Sequence, residues 1–176
     1  MKRKHAIADR IRRSLSGPMW HGEAIRPLLT GITPAQAAAR PVKGAHSIWE
    51  LVLHITAWAN IVRERLSLRE QPAPTDAQDW PGVASHTDDK AWTAALARLL
   101  SSHEILATTV EKFEERALDT IVLGQSYTVS EMLAGIVEHG TYHGGQIALL
   151  KRALADRTRA GRSTTGTVPQ KTDQSL

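Results

Sequence analysis

Two histidines four residues apart, His139 and His143, lie within Glu138-His139-Gly140-Thr141-Tyr142-His143-Gly144-Gly145-Gln146. The seam positions around them, Leu133, Ile136, Gly140, His143, Ile147, Leu150 and Leu154, recur at alternating steps of three and four, which is helical spacing. On a helix, residues i and i+4 stand one turn apart on the same face with Cβ atoms about 5–6 Å from each other. Both imidazoles can then reach one divalent ion without bending the backbone. The same spacing also describes two polar residues on a solvated or partly buried face. His143, however, falls on the apolar seam, where a neutral imidazole needs partners for both ring nitrogens.

The chain contains no cysteine, which removes disulfides, thiolate ligands and a cysteine nucleophile together. Any sulfur chemistry must therefore use a thiol brought by a cosubstrate. A length of 176 residues suits one domain with a real core. No run approaches the roughly 18–20 apolar residues of a membrane span, and the basic N-terminus lacks the apolar core of a secretory signal. A cytoplasmic protein with no membrane partner is expected.

The formal net charge is +4, yet its distribution argues against specific nucleic acid binding. Residues 1–13 hold six Lys or Arg against Asp9, and residues 151–176 hold six against Asp156 and Asp173. Residues 14–150 are acidic, with 10 basic and 15 acidic side chains. A duplex-binding surface needs basic residues clustered on a folded face, whereas charged ends also simply aid solubility.

Four helices must position these groups. Ile7, Ile11 and Leu15, then His21, Ile25, Leu28 and Ile32, keep one phase across Gly17-Pro18, which predicts a single first helix, kinked there and again at Pro27. Thr33-Pro34 caps a short Ala-rich helix that ends at Arg40-Pro41. Ser47-Ile48-Trp49-Glu50 is a capping box that launches the second main helix, with core stripe Ile48, Leu51, Ile55, Trp58, Val62 and Leu66 and with His54 on its flank. Residues 68–87 read as a long loop, and loops of that length are often functional. The third helix begins near Thr87 or Asp88 and carries Trp92, Leu96, Leu99, His103, Leu106, Val110 and Phe113. Thr128-Val129-Ser130-Glu131 is a second capping box and starts the fourth helix.

These elements predict an all-α protein: an up-and-down four-helix bundle over residues 1–155, with a long loop between helices 2 and 3. Residues 156–176 are expected to form a disordered basic tail. Counted from the two caps at 1.5 Å per residue, His54 lies about 10 Å along its helix and His139 and His143 about 16 and 22 Å along theirs. A stagger of one or two turns levels the three rings, so nothing forbids a three-histidine site.

Ser47-Ile48-Trp49-Glu50-Leu51-Val52-Leu53-His54, joined to His139-Gly140-Thr141-Tyr142-His143-Gly144-Gly145-Gln146-Ile147, resembles the DinB superfamily of DinB/YfiT-like metalloenzymes. The resemblance runs from about Leu15 to Leu154 and includes Trp20-His21-Gly22 and Asp79-Trp80-Pro81. It implies a four-helix bundle in which His54, His139 and His143 bind a divalent metal and leave positions open for water or substrate. It further implies a metal-dependent enzyme acting on a small-molecule substrate. A thiol S-transferase using a low-molecular-weight thiol such as glutathione, mycothiol or bacillithiol stands ahead of a hydrolase.

Three neutral histidines leave the ion its full double charge and an open position, the arrangement of catalytic sites. Zinc suits these ligands best, and nickel, iron and manganese also accept histidine. The other reading is a non-catalytic metal-binding stress-response or interaction protein. His21, Tyr142 and Gln146 are candidates for second-layer hydrogen bonds or substrate contact. His103 reads as a core histidine, and His5, His46 and His86 as surface residues. Glu50 reads as a cap rather than a base. Gly140, Gly144 and Gly145 each cost a helix roughly 1 kcal/mol relative to alanine, which asks for close helix packing or room for a metal-bound ligand. An apolar-rich bundle with exposed tryptophans is also compatible with a homodimer.

Overall fold

The computed structural model describes residues 2–67, 69–83 and 87–163, and these are organised by helices throughout. In chain order they are α1 Arg3–Ser16, α2 Ile25–Leu29, α3 Pro34–Ala38, α4 Ile48–Arg65, α5 Asp76–Asp79, α6 Asp89–Lys112 and α7 Val129–Ser163. A 3₁₀ turn at Glu115–Asp119 lies between α6 and α7. Among the described residues no helix is long and apolar enough to cross a membrane.

Local signals set the helix starts. Ser47 and Glu50 close a reciprocal capping box, Ser47 N–H donating to Glu50 Oε2 at 2.7 Å and Glu50 N–H to Ser47 Oγ at 3.2 Å. Glu50 is therefore a cap, and it also pairs with Arg40. Thr128 and Glu131 repeat the arrangement before α7, and Thr33 and Gln36 before α3. Asp88 caps α6 through Ala91 N–H at 2.8 Å.

The four long helices pack as α1 on α6, α6 on α4, α4 on α7 and α7 on α1. Their apolar faces form two clusters. One gathers Leu15, Ile25, Leu28, Trp49, Leu51, Ile55, Trp92, Leu99 and Ile147; the other gathers Ala8, Ile11, Val62, Leu106, Val110, Leu118, Leu133 and Val137. The polar residues buried along the four long helices are Ser14 on α1, His54 and Arg65 on α4, Ser102 and His103 on α6 and His143 on α7. Polar groups thus interrupt the apolar interior, and such groups must be partnered to be tolerated.

The expected kinked first helix is instead two helices. Gly17 adopts φ 79° with ψ −177°, a positive-φ conformation that favours glycine and cannot continue a helix, and its N–H donates to Arg13 O at 2.7 Å. The chain leaves the helix there and resumes at Ile25, where Pro27 sits in the first turn of α2 and bends nothing. The loop over residues 68–87 contains α5, started by a Thr75–Gln78 capping box. At the other end α7 continues to Ser163, eight residues beyond the expected boundary at 155. The remainder of the expected tail, residues 164–176, lies outside the described residues, as do Leu68 and His86.

Candidate metal centre

His54 projects from the second turn of α4, and His139 and His143 from successive turns of α7. The three ring nitrogens offered as ligands lie within 4.8 Å of one another. His139 Nε2 is 2.9 Å from His54 Nε2 and 3.1 Å from His143 Nε2. Nitrogens bound to one ion at about 2.0–2.1 Å can stand no farther apart than about 4 Å, so both separations are compatible with a shared divalent cation.

The far nitrogens decide which tautomers are present. His54 Nδ1 donates to the main-chain carbonyl of Asp79 at 2.7 Å, and His143 Nδ1 donates to Gln146 Oε1 at 2.8 Å. With their protons held at Nδ1, both rings present a bare Nε2 lone pair to the shared point. His139 Nδ1 is buried and has no hydrogen-bond partner among the described residues. Lone pairs converging at this distance repel unless a proton or a cation lies among them. The donor set therefore fits a divalent metal.

Electrostatics favour the neutral rings. Burial lowers the His139 pKa to about 3, with further lowering by His143, His54 and His103. Burial also lowers His54 and His143, opposed by the Asp79 carbonyl in one case and Gln146 in the other. At neutral pH the rings are uncharged, the form that coordinates metal.

An aromatic wall lines one side. Trp80 stacks on His54 at 3.9 Å between centroids with 9° between planes, and His46 stacks on the opposite face of Trp80 at 3.6 Å. Asp79 ties this wall to α4, its Oδ1 accepting from Trp58 Nε1 at 2.6 Å and lying 3.3 Å from His54 Nδ1. α5 thus delivers both the acceptor that orients His54 and the ring that covers it.

The expected site residues part company here. His54, His139 and His143 come together, and Gln146 accepts from the His143 ring. His103 is a core histidine on α6 whose Nδ1 donates to Leu99 O at 3.0 Å, and burial lowers its pKa to about 4. Tyr142 is 66 % exposed; its ring meets His143 edge-on at 5.0 Å and makes no hydrogen bond to His139. His21 does not follow the apolar seam. It is exposed in the α1–α2 loop, lining a cavity with Gly140, Gly144 and Gly145 that none of the three imidazoles lines. The broken helix explains the displacement, because the in-phase seam stops at Gly17.

Gly140 and Gly144 pack on α2: a Cβ at Gly140 would meet Ile25 Cδ1 at 3.5 Å, and one at Gly144 would meet Leu28 Cδ1 at 3.8 Å. Both distances are ordinary contact, so α2 leaves room for a Cβ at these two positions, and Gly145 faces open space. Asp79 and Trp80 had no assigned role in the sequence. They entered the sequence reading only as part of the resemblance, because an acid and an aromatic side by side in a long loop do not say what they touch.

No curated protein and no solved structure matches the chain. The family model of the DinB superfamily matches residues 20–147, a span that holds all three imidazoles, Asp79 and Gln146, and the chain belongs to that superfamily.

Proposed function

We propose that this protein is a divalent-metal-dependent enzyme of the thiol S-transferase type, built on a four-helix bundle and acting on small molecules. The observation that carries the reading is the convergence of three Nε2 atoms whose Nδ1 protons are fixed elsewhere on two of the three rings. Zinc, held by His54, His139 and His143, would supply Lewis acidity that keeps a thiol as thiolate or acidifies a water. In the transfer, the thiol sulfur bonds to an electrophilic carbon of the acceptor. The leaving group departs with its electron pair and the thiol proton passes to solvent. The chain has no cysteine of its own, so the thiol is a cosubstrate. Hydrolysis is the less favoured chemistry on the same site.

The protein's own part is orientation and exclusion of water. Gln146 and the Asp79 carbonyl fix two ring tautomers, and Trp80 with His46 closes one flank. One observation favours a non-catalytic metal protein instead: Asp79 and Gln146, the polar side chains against the imidazoles, are both already engaged in hydrogen bonds. A panel of low-molecular-weight thiols with electrophilic acceptors separates the two. Metal-dependent turnover with at least one thiol is expected. Metal binding with no turnover and no spectroscopic change at a cobalt-substituted site would establish the non-catalytic reading.

A further inference from the structure

A cavity of about 340 Å³ has one of the three imidazoles, His139, in its wall. Its other walls are mainly apolar, from Val62 on α4, Met132 and Ile136 on α7, and the Trp58 ring. One cation stands in that wall. Arg65, in the last turn of α4, is 6 % exposed and makes no ion pair among the described residues. Its Nη1 donates to the Tyr127 hydroxyl at 2.7 Å, its guanidinium carbon lies 5.8 Å from the Trp58 ring centroid, and its Nε is buried without a partner.

A guanidinium offers five N–H donors in a planar fork and is weakly content with a single neutral phenol. Burying it without an anion is unfavourable unless another partner arrives. The only carboxylate in the cavity wall is Glu131, and its Oε2 already accepts from Thr128 N–H at 2.7 Å and Thr128 Oγ1 at 2.8 Å in the α7 cap. The Trp58 ring that lies under Arg65 also lies 5.7 Å from the His139 ring. The cation and a metal ligand therefore flank one aromatic side chain and face one small, apolar space of ligand size.

We propose that this cavity binds a small carboxylate-bearing molecule. Its carboxylate pairs with Arg65, its apolar body lies along Trp58, Met132 and Ile136, and its opposite end reaches the metal-facing ring of His139. A carboxylate can accept from the terminal N–H groups of the fork that Tyr127 leaves free, and one negative charge balances the one buried positive charge. Only the placement of the opposite end rests on the metal reading; the pairing with Arg65 does not.

Binding of hexanoate, hexanamide and hexyl phosphate to the full chain, as purified and after zinc addition, tests this by calorimetry with zinc content measured on the same samples. Hexanoate is expected to bind saturably and at least tenfold more tightly than the other two. Arg65→Gln should weaken hexanoate at least tenfold and leave hexanamide unchanged, and Arg65→Lys should recover part of the loss. Should Arg65→Gln fail to fold, Met132→Trp fills the cavity with Arg65 in place and should abolish hexanoate binding. Equal binding of hexanamide, tighter binding of hexyl phosphate, unchanged hexanoate binding by Arg65→Gln, or unchanged binding by Met132→Trp would each overturn the proposal. Zinc bound without hexanoate affinity would sink the carboxylate site alone, and hexanoate affinity without zinc would sink the metal site alone.

Discussion

A histidine binds a cation only while neutral, and each ligand ring here is kept neutral by burial. The remaining requirement is aim, which two of the rings obtain from hydrogen bonds at Nδ1. Gln146→Leu keeps the side-chain volume roughly constant and removes the acceptor for His143. It should weaken zinc affinity about 10–100-fold with little change in the metal-free melting temperature. Competition against a chromophoric chelator measures this, and unchanged affinity would show that the His143–Gln146 bond orients nothing. His103 supplies a pH dependence of a different kind. Its folded pKa of about 4 lies below its ordinary value of 6.5, so below pH 6.5 the unfolded chain takes up a proton that the folded chain refuses. Stability from this group is complete above pH 6.5 and is lost as pH falls toward 4. Between pH 7.5 and 4.5 the metal-free wild type should lose on the order of 2–3 kcal/mol more stability than His103→Leu. Urea denaturation at the two values reads the difference, and parallel losses would contradict it. At this scale side-chain chemistry at helical spacing was legible, in His139, His143 and Gln146. The acceptor for His54 was not, because a main-chain carbonyl carries no residue identity.

Among the elements, α7 supplies two of the three imidazoles and the amide that orients His143, and it packs on α2 through Gly140 and Gly144. A Cβ at Gly140 or Gly144 would fall in ordinary contact with Ile25 and Leu28, and one at Gly145 would meet nothing within 4 Å. Gly145→Ala should therefore raise stability by up to about 1 kcal/mol through helix propensity alone, with zinc content unchanged. Gly140→Leu, by contrast, should force α2 away and lower the melting temperature. Thermal melts of the two variants decide the matter; a destabilised Gly145→Ala would mean that open space there serves a bound group. Element boundaries set by capping boxes, at Ser47 and Thr128, were readable because two residues at fixed spacing satisfy each other, and the start at Thr33 was readable from the proline that follows it. The split of the first helix was not, because apolar phase continued across Gly17 while the backbone at that glycine turned to positive φ. α5 was hidden by brevity, four residues being too few to show a period.

In the whole molecule, buried polar groups interrupt the apolar interior, and the three imidazoles that could hold an ion are the ones brought together by α4 and α7. An ion held by both helices binds the folded chain and not the unfolded one. At free zinc one hundred times its dissociation constant, the gain is about 2.7 kcal/mol. The all-helical class was legible from periodicity, since four long amphipathic stretches leave no room for a sheet, whereas the meeting of His54 with His139 and His143 was what the resemblance implied and helix spacing alone only allowed. The chemistry stays one level removed, because three imidazoles locate a cation without naming its substrate. Zinc per chain, measured by mass spectrometry after purification without chelator or affinity tag, tests the metal centre most directly. Wild type should hold close to one ion, and His54→Ala, His139→Ala and His143→Ala should each hold far less while staying helical by circular dichroism. Equal, substoichiometric metal in wild type and all three variants would contradict a three-histidine centre.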